Sequence, residues 1–138
     1  MGQQQLLLVI LVTIIVGIAT VVAINTFGSA ADSANVDAVR QDLASIAAAA
    51  QGYYMKPEML GGGSRSFGGL DFEGMAVPGE VDGTGLILTN ENGTYTLTAP
   101  AATTGPTGPQ TITVEAAPAS DPTVTLTATI EPNNLGIS

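Results

Sequence analysis

The stretch LLLVILVTIIVGIATVVAI, from Leu6 to Ile24, contains nineteen residues without a charge, fourteen of them Leu, Ile or Val. Each such residue contributes roughly −0.3 to −0.6 kcal/mol to insertion into a bilayer, so the segment favours lipid by about −4 to −8 kcal/mol. At ~1.5 Å per residue, a helix of this length spans a hydrocarbon core of about 30 Å. The segment is therefore predicted to be a helix that lies either in a membrane or among copies of itself.

The helical signal continues well beyond this apolar segment. No proline occurs before Pro57, and Ala-rich sequence runs on to Tyr53 and Tyr54. One helix of about 75 Å is therefore expected within residues 1–54. Its second half is predicted to be amphipathic, because apolar residues recur there at steps of three and four. These residues are Val36, Val39, Leu43, Ile46, Ala47 and Ala50.

Small residues mark one face of the apolar half. Thr13, Gly17 and Thr20 fall at i, i+4 and i+7, a spacing that lets two helices approach closely. The alternative is that Gly and Thr are simply tolerated in a lipid-facing helix. Gly17 and Asn25–Ser29 also weaken the helix in water, so a local break at either place is compatible with the sequence.

Two simpler explanations of the apolar segment exist. The small residues of Ser29–Ala34 would suit a signal peptidase, but no Lys or Arg precedes Leu6, and nineteen residues exceed the usual ~7 to 15 of a signal peptide's apolar region. A plain membrane anchor is the other explanation. Because the first basic residue is Arg40, the positive-inside rule gives no support for a particular orientation.

The composition excludes several classes of function. The 138 residues include 12 acidic and 3 basic side chains, for a net charge of −9, which argues against nucleic acid and anionic lipid as partners. There is no His and no Cys, and no spacing of Asp, Glu, Ser, Lys or Tyr suggests a catalytic pair. Asn90–Gly93 resembles only a fragment of a calcium loop. We therefore predict no enzyme activity, no cofactor and no metal site.

Residues 55–83 are predicted to form an irregular Gly-rich loop. Gly61–Gly63 and Gly68–Gly69 lack the Gly-Lys-Ser/Thr ending of a phosphate-binding loop. Four apolar residues are expected to anchor this loop to a core: Phe67, Leu70, Phe72 and Met75.

Residues 84–138 are predicted to be an antiparallel sheet of four strands in sequential order. The strands are expected at residues 84–90, 94–99, 110–116 and 123–130, with Glu91–Gly93 as a hairpin turn. In the last strand, alternation predicts one buried face formed by Val124, Leu126, Ala128 and Ile130. That face is the natural cover for Val39, Leu43 and Ile46. The fold class is therefore α+β.

In its order of elements, the whole chain resembles type IV pilins and their relatives. The resemblance is carried by the apolar segment 6–24, the amphipathic stripe 36–50 and the strands. The chain departs from that family at Gln5, where a glutamate is common, and it shows neither the cysteine pair nor a leader. In such relatives the glutamate pairs with the N-terminal amine of a neighbouring subunit. Here Gln3, Gln4 and Gln5 would offer uncharged hydrogen-bonding groups instead.

The resemblance implies a structural subunit of an extracellular filament, inserted in the cytoplasmic membrane before assembly and handled by assembly machinery. Its main partner would be itself, and no nucleic acid is expected. The residues expected in the filament core are Gln3, Gln4, Gln5, Leu7, Leu11, Thr13, Ile14, Gly17, Thr20, Val21 and Ile24. The rival hypothesis is a single-pass, membrane-anchored binding module with a small β domain.

Overall fold

The computed structural model describes residues 2–138. A single α-helix, α1, spans Gly2–Met55. The chain divides into two compact units, one ending at Ala34 and one running from Asn35 to Ser138. The described part of the first unit is the stretch of α1 up to Ala34, and the second unit contains the remainder of that helix, a sheet and the connecting loops.

The helix is unbroken at the two places where the sequence allowed a break. Both Gly17 and the stretch Asn25–Ser29 lie within α1. A glycine costs a helix only about 1 kcal/mol relative to alanine, whereas a break would leave several backbone groups without intrahelical partners. The helix is therefore continuous at both weak points.

The sheet has six antiparallel strands, so the prediction of four is wrong, while the α+β class is confirmed. The strands are β1 (Glu80–Val81), β2 (Ile87–Thr89), β3 (Gly93–Leu97), β4 (Ile112–Pro118), β5 (Leu126–Glu131) and β6 (Asn134–Ile137). They follow one another in sequential order, as expected for a meander. Val124 is not on the buried face, because it lies in the turn before β5 and is exposed.

The two additional strands carry little sequence signal. Strand β1 has only two residues, which are too few to alternate, and it lies within the stretch predicted to be a loop. Strand β6 contains Asn134 and Gly136, residue types that are depleted in strands. Each is a strand because it pairs with a neighbour, β1 with β2 and β6 with β5.

One hydrophobic core joins the helix, the sheet and the loop of the second unit. From the helix it includes Val39, Leu43 and Ile46, each fully buried. From β5 it includes Leu126, Ala128 and Ile130. The four expected loop anchors are also buried in this core, which confirms that prediction: Phe67, Leu70, Phe72 and Met75.

Candidate self-assembly site

The apolar segment 6–24 is exposed over its whole circumference. No residue from Gly2 to Ala34 is buried, and the Leu, Ile and Val side chains of the segment are 54–66% exposed. All eleven residues expected in a filament core lie on this exposed helix. The eight of them from Leu7 to Ile24 lie within about half of the helix circumference, while other apolar side chains of the segment are exposed on the opposite half.

The threonine hydroxyl groups of this unit are already satisfied within the helix. Thr13 Oγ1 donates to the carbonyl of Val9 at 2.7 Å, and Thr20 Oγ1 donates to the carbonyl of Val16 at 2.8 Å. Because each hydroxyl bonds back to the preceding turn, these side chains do not need a polar partner from outside. Gly17 lies between them, and a Cβ placed there would meet nothing within 4 Å. The Thr13–Gly17–Thr20 stripe therefore presents a small surface with no unsatisfied hydroxyl.

The composition and length of α1 suit a membrane span. Within residues 2–138 it is the one helix long and apolar enough to cross a bilayer, and its apolar window has no buried residue. The segment could therefore anchor the chain in a membrane. The same property would serve contacts with other apolar helices, since lipid tails and leucine side chains are similarly apolar.

Gln3, Gln4 and Gln5 lie in the first turns of α1 and are exposed. The first acidic residue of the chain is Asp32, so no carboxylate side chain accompanies these amides in the apolar half. The N–H groups of a first helical turn lack intrahelical acceptors. Amide carbonyls from a neighbouring chain are suitable acceptors for them.

A second polar site, the Asp42 cluster, ties α1 to the β2–β3 turn in the unit from Asn35 to Ser138. Asp42 Oδ2 accepts hydrogen bonds from Asn90 Nδ2 (2.9 Å), Asn92 Nδ2 (2.8 Å) and the Tyr95 hydroxyl (2.6 Å). Next to it, Asn35 Nδ2 donates to the carbonyl of Asn92 at 3.0 Å. These bonds hold the turn against the helix.

The electrostatics of the cluster keep Asp42 ionised. Partial burial acts to raise the pKa of Asp42, but the hydrogen bonds from Asn92, Tyr95 and Asn90 outweigh it and lower that pKa. Burial is also the main reason that the pKa of Tyr95 is raised, reinforced by its hydrogen bond to Asp42 and by the charge of that carboxylate. Tyr95 therefore remains a neutral donor and Asp42 a charged acceptor.

Sequence reasoning missed this cluster. Asp42 looked like an ordinary polar residue on an amphipathic helix, and Asn90–Gly93 looked like turn chemistry or a fragment of a calcium loop. The available signal was a lone acid between the buried residues Val39 and Leu43 of the helix. The side chains of Asn90 and Asn92 are turned to donate to that acid, so their amide nitrogens face a carboxylate rather than a cation.

The class of this chain is assigned from its architecture, because comparison with known proteins found no match: no protein-family model, no curated protein and no solved structure matches the chain. The class is a chain with one long apolar N-terminal helix and an antiparallel sheet. This arrangement is consistent with a pilin-like fold.

Proposed function

We propose that this chain is a structural subunit that polymerises into an extracellular, type IV pilus-like filament through residues 6–24. The observation that carries the proposal is the contrast between the two units. The unit from Asn35 to Ser138 buries its own apolar residues in one core. The preceding unit buries none of the residues from Gly2 to Ala34 that the structure describes, and these form a helix with a long apolar segment.

Such a helix does not remain in water as a monomer. Fully burying a Val, Leu or Ile side chain is worth about 1.5–3 kcal/mol, so fourteen half-exposed side chains represent on the order of 10–25 kcal/mol. Lipid and neighbouring copies are the two environments that recover this energy. Exchanging one for the other costs little per residue, because both are apolar.

In this proposal the subunit is first inserted in the cytoplasmic membrane, and an assembly machinery then transfers it into the filament. The apolar helices pack together in the filament core, and the sheet units lie outside. The repeated contact joins two different surfaces without closing into a ring, as a helical fibre requires. The acidic surface outside is compatible with a soluble polymer at the cell surface.

Electron microscopy of material sheared from expressing cells tests the proposal. Filaments that contain this chain are the expected result. Recovery of the chain only from the membrane fraction, in cells whose assembly machinery is active, would instead favour the membrane-anchored binding module.

Replacing Gly17 by leucine is expected to reduce filament yield while leaving membrane insertion intact. The monomer has room for the added side chain, so any loss arises from contact between copies at the Thr13–Gly17–Thr20 stripe. Quantitative immunoblotting of sheared and membrane fractions measures both effects. Ala19→Leu is the matched control, because it adds comparable bulk about 200° around the same helix. Normal filaments from the Gly17 variant would contradict a close approach at the stripe.

Filament stability is expected to change little between about pH 5 and 8, because no carboxylate side chain of the proposed core titrates there. We expect Gln3, Gln4 and Gln5 to form hydrogen bonds between subunits and to cap exposed N–H groups at the helix start. Replacing all three by leucine should then weaken the filament, as measured by its dissociation in detergent. An unchanged filament with the same helical symmetry would defeat the role of the amides. If the triple leucine variant loses filaments and Gln5→Glu keeps them, the result would favour the charge pairing of the pilin relatives at this position.

A further inference from the structure

An exposed apolar cluster lies at the C-terminal end of α1, far along the chain from the apolar segment. Met59 is 97% exposed, Met55 72% and Leu60 66%, the highest values for large apolar residues in the unit from Asn35 to Ser138. Two cations, Lys56 and Arg65, are exposed among them. We refer to these five residues as the Met59 patch. Two of the three basic residues of the whole chain belong to it.

The patch lies on a fixed backbone. Arg65 N–H donates to the carbonyl of Tyr54 at 2.8 Å, and Ser64 N–H donates to the carbonyl of Lys56 at 3.0 Å. A side chain at Gly62 would collide with the carbonyl oxygen of Lys56, so the loop folds back tightly on the end of the helix. Arg65 and Met55 line the same hollow. The backbone that carries the apolar and cationic side chains is therefore fixed, and Met55 and Arg65 lie next to each other.

The backbone at Arg65 is costly for an arginine. Its φ is +72°, and within residues 2–138 only Ser64 shares a positive φ among the non-glycine residues. A glycine would adopt this conformation without penalty, whereas other residues are strained in it. The Arg65 side chain makes no hydrogen bond or ion pair to any other residue between 2 and 138 that would offset this cost, and the ion pair of that stretch joins Arg40 to Asp37.

The charge of the patch is opposite to that of the rest of the chain. Residues 55–65 contain two cations and one acid, Glu58, in a chain of net charge −9. Most of the charged side chains of any other copy are therefore acidic, 12 of them against 3 basic ones. An apolar centre with a charged rim is the usual composition of a protein interface, and complementary rim charges speed association and set its orientation.

From these observations we propose that the Met59 patch binds the acidic surface of the next copy of this chain along the filament. The proposal rests on the proposed function, because it supplies a second contact to the same polymer. Its apolar side chains are buried on contact, and Lys56 and Arg65 meet carboxylates of the neighbour. The two surfaces differ, so the contact repeats without closing.

The charge count favours a protein partner over a bilayer. Anionic membranes are recognised by clusters of about four to eight Lys or Arg residues, and the patch has two. The 12 acidic residues of the chain would be repelled by an anionic lipid surface, whereas they are the groups that the patch of another copy attracts.

Site-specific crosslinking tests this contact. The chain contains no cysteine, so Met59→Cys can be labelled at one position with a benzophenone maleimide. Irradiated filaments should yield a ladder of crosslinked copies, and the same labelled chain as a detergent-solubilised monomer should not. Val124→Cys, which replaces another exposed apolar residue of this unit, is the matched control and should give at least tenfold less dimer. A product with lipid alone, a product with another protein, or no product would overturn the proposal.

A charge-reversal experiment tests the cationic rim separately. Lys56→Glu combined with Arg65→Glu should lower filament recovery at least tenfold, whereas Arg40→Glu, which reverses the remaining cation, should have little effect. Thermal melting of each variant in detergent checks that it folds. If the wild-type chain forms no filaments, the proposed function and this contact both fail. If it forms filaments that give neither the crosslink nor the charge effect, only the contact fails.

Discussion

Leu43→Ala is expected to lower the free energy of unfolding of the sheet-containing unit by about 2–5 kcal/mol. Leu43 is fully buried in the core that contains the helix stripe and the inner face of β5. Removing its side chain loses the transfer free energy of the deleted atoms and leaves a cavity between rigid neighbours. Urea unfolding of the full chain in detergent measures the change. The near-ultraviolet signal of tyrosine reports it, since the chain has no tryptophan.

Leu60→Ala is the matched control for this experiment. It removes the same atoms from a leucine that is 66% exposed, and it should change the free energy of unfolding by less than about 0.5 kcal/mol. Equal midpoints for the wild-type chain and the Leu43 variant would remove the claim that this side chain supports the core.

Asp42→Ala is expected to lower the free energy of unfolding by about 1.5–3 kcal/mol at neutral pH, the usual range for losing hydrogen bonds to a charged group. Three donors lose their acceptor together, and the largest penalty falls on the hydroxyl of the buried residue Tyr95. Asp37→Ala is the control, because it removes from the same helix a carboxylate that forms an ion pair with exposed Arg40 at 3.3 Å. Such surface pairs contribute about 0–1 kcal/mol.

The stability difference between the wild-type chain and Asp42→Ala is expected to depend on pH. Because the pKa of Asp42 is lowered in the folded chain, its contribution is fully present above the unfolded pKa of about 3.9. That contribution is lost as the pH falls through the lower folded value. The stability difference between the wild-type chain and Asp42→Ala should therefore shrink below about pH 4.

Other acids do not obscure this result. Hydrogen bonds from Thr84 and Thr123 lower the pKa values of Asp82 and Asp121, respectively, and both residues are present in the wild-type chain and in the variant. A stability difference that stays constant from pH 7 to pH 2 would contradict an ionised acceptor at position 42.

The local pattern of residues was sufficient to predict the long helix and its two halves. An uncharged apolar stretch and a stripe at steps of three and four are properties of neighbouring residues, so both can be read before any packing is known. The same holds for β5, where Leu126, Ala128 and Ile130 alternate with polar residues. The exposure of segment 6–24 also follows from the sequence, since nothing else in the chain is apolar enough to surround it.

The tertiary structure alone decided the strand count, the Asp42 cluster and the Met59 patch. Strands β1 and β6 exist because a neighbouring strand supplies their hydrogen bonds, and their residue types do not predict a strand. Asp42 and Asn92 are 50 residues apart in the chain, and only packing of the helix on the sheet brings their side chains together. Met59 and Leu60 belong to a loop in which Phe67, Leu70, Phe72 and Met75 are buried, so the exposure of the first two depends on how that loop folds back on α1. The sequence by itself thus determined the elements with a local period, while contacts between distant residues were decided by the fold, because such contacts leave no periodic trace in the chain.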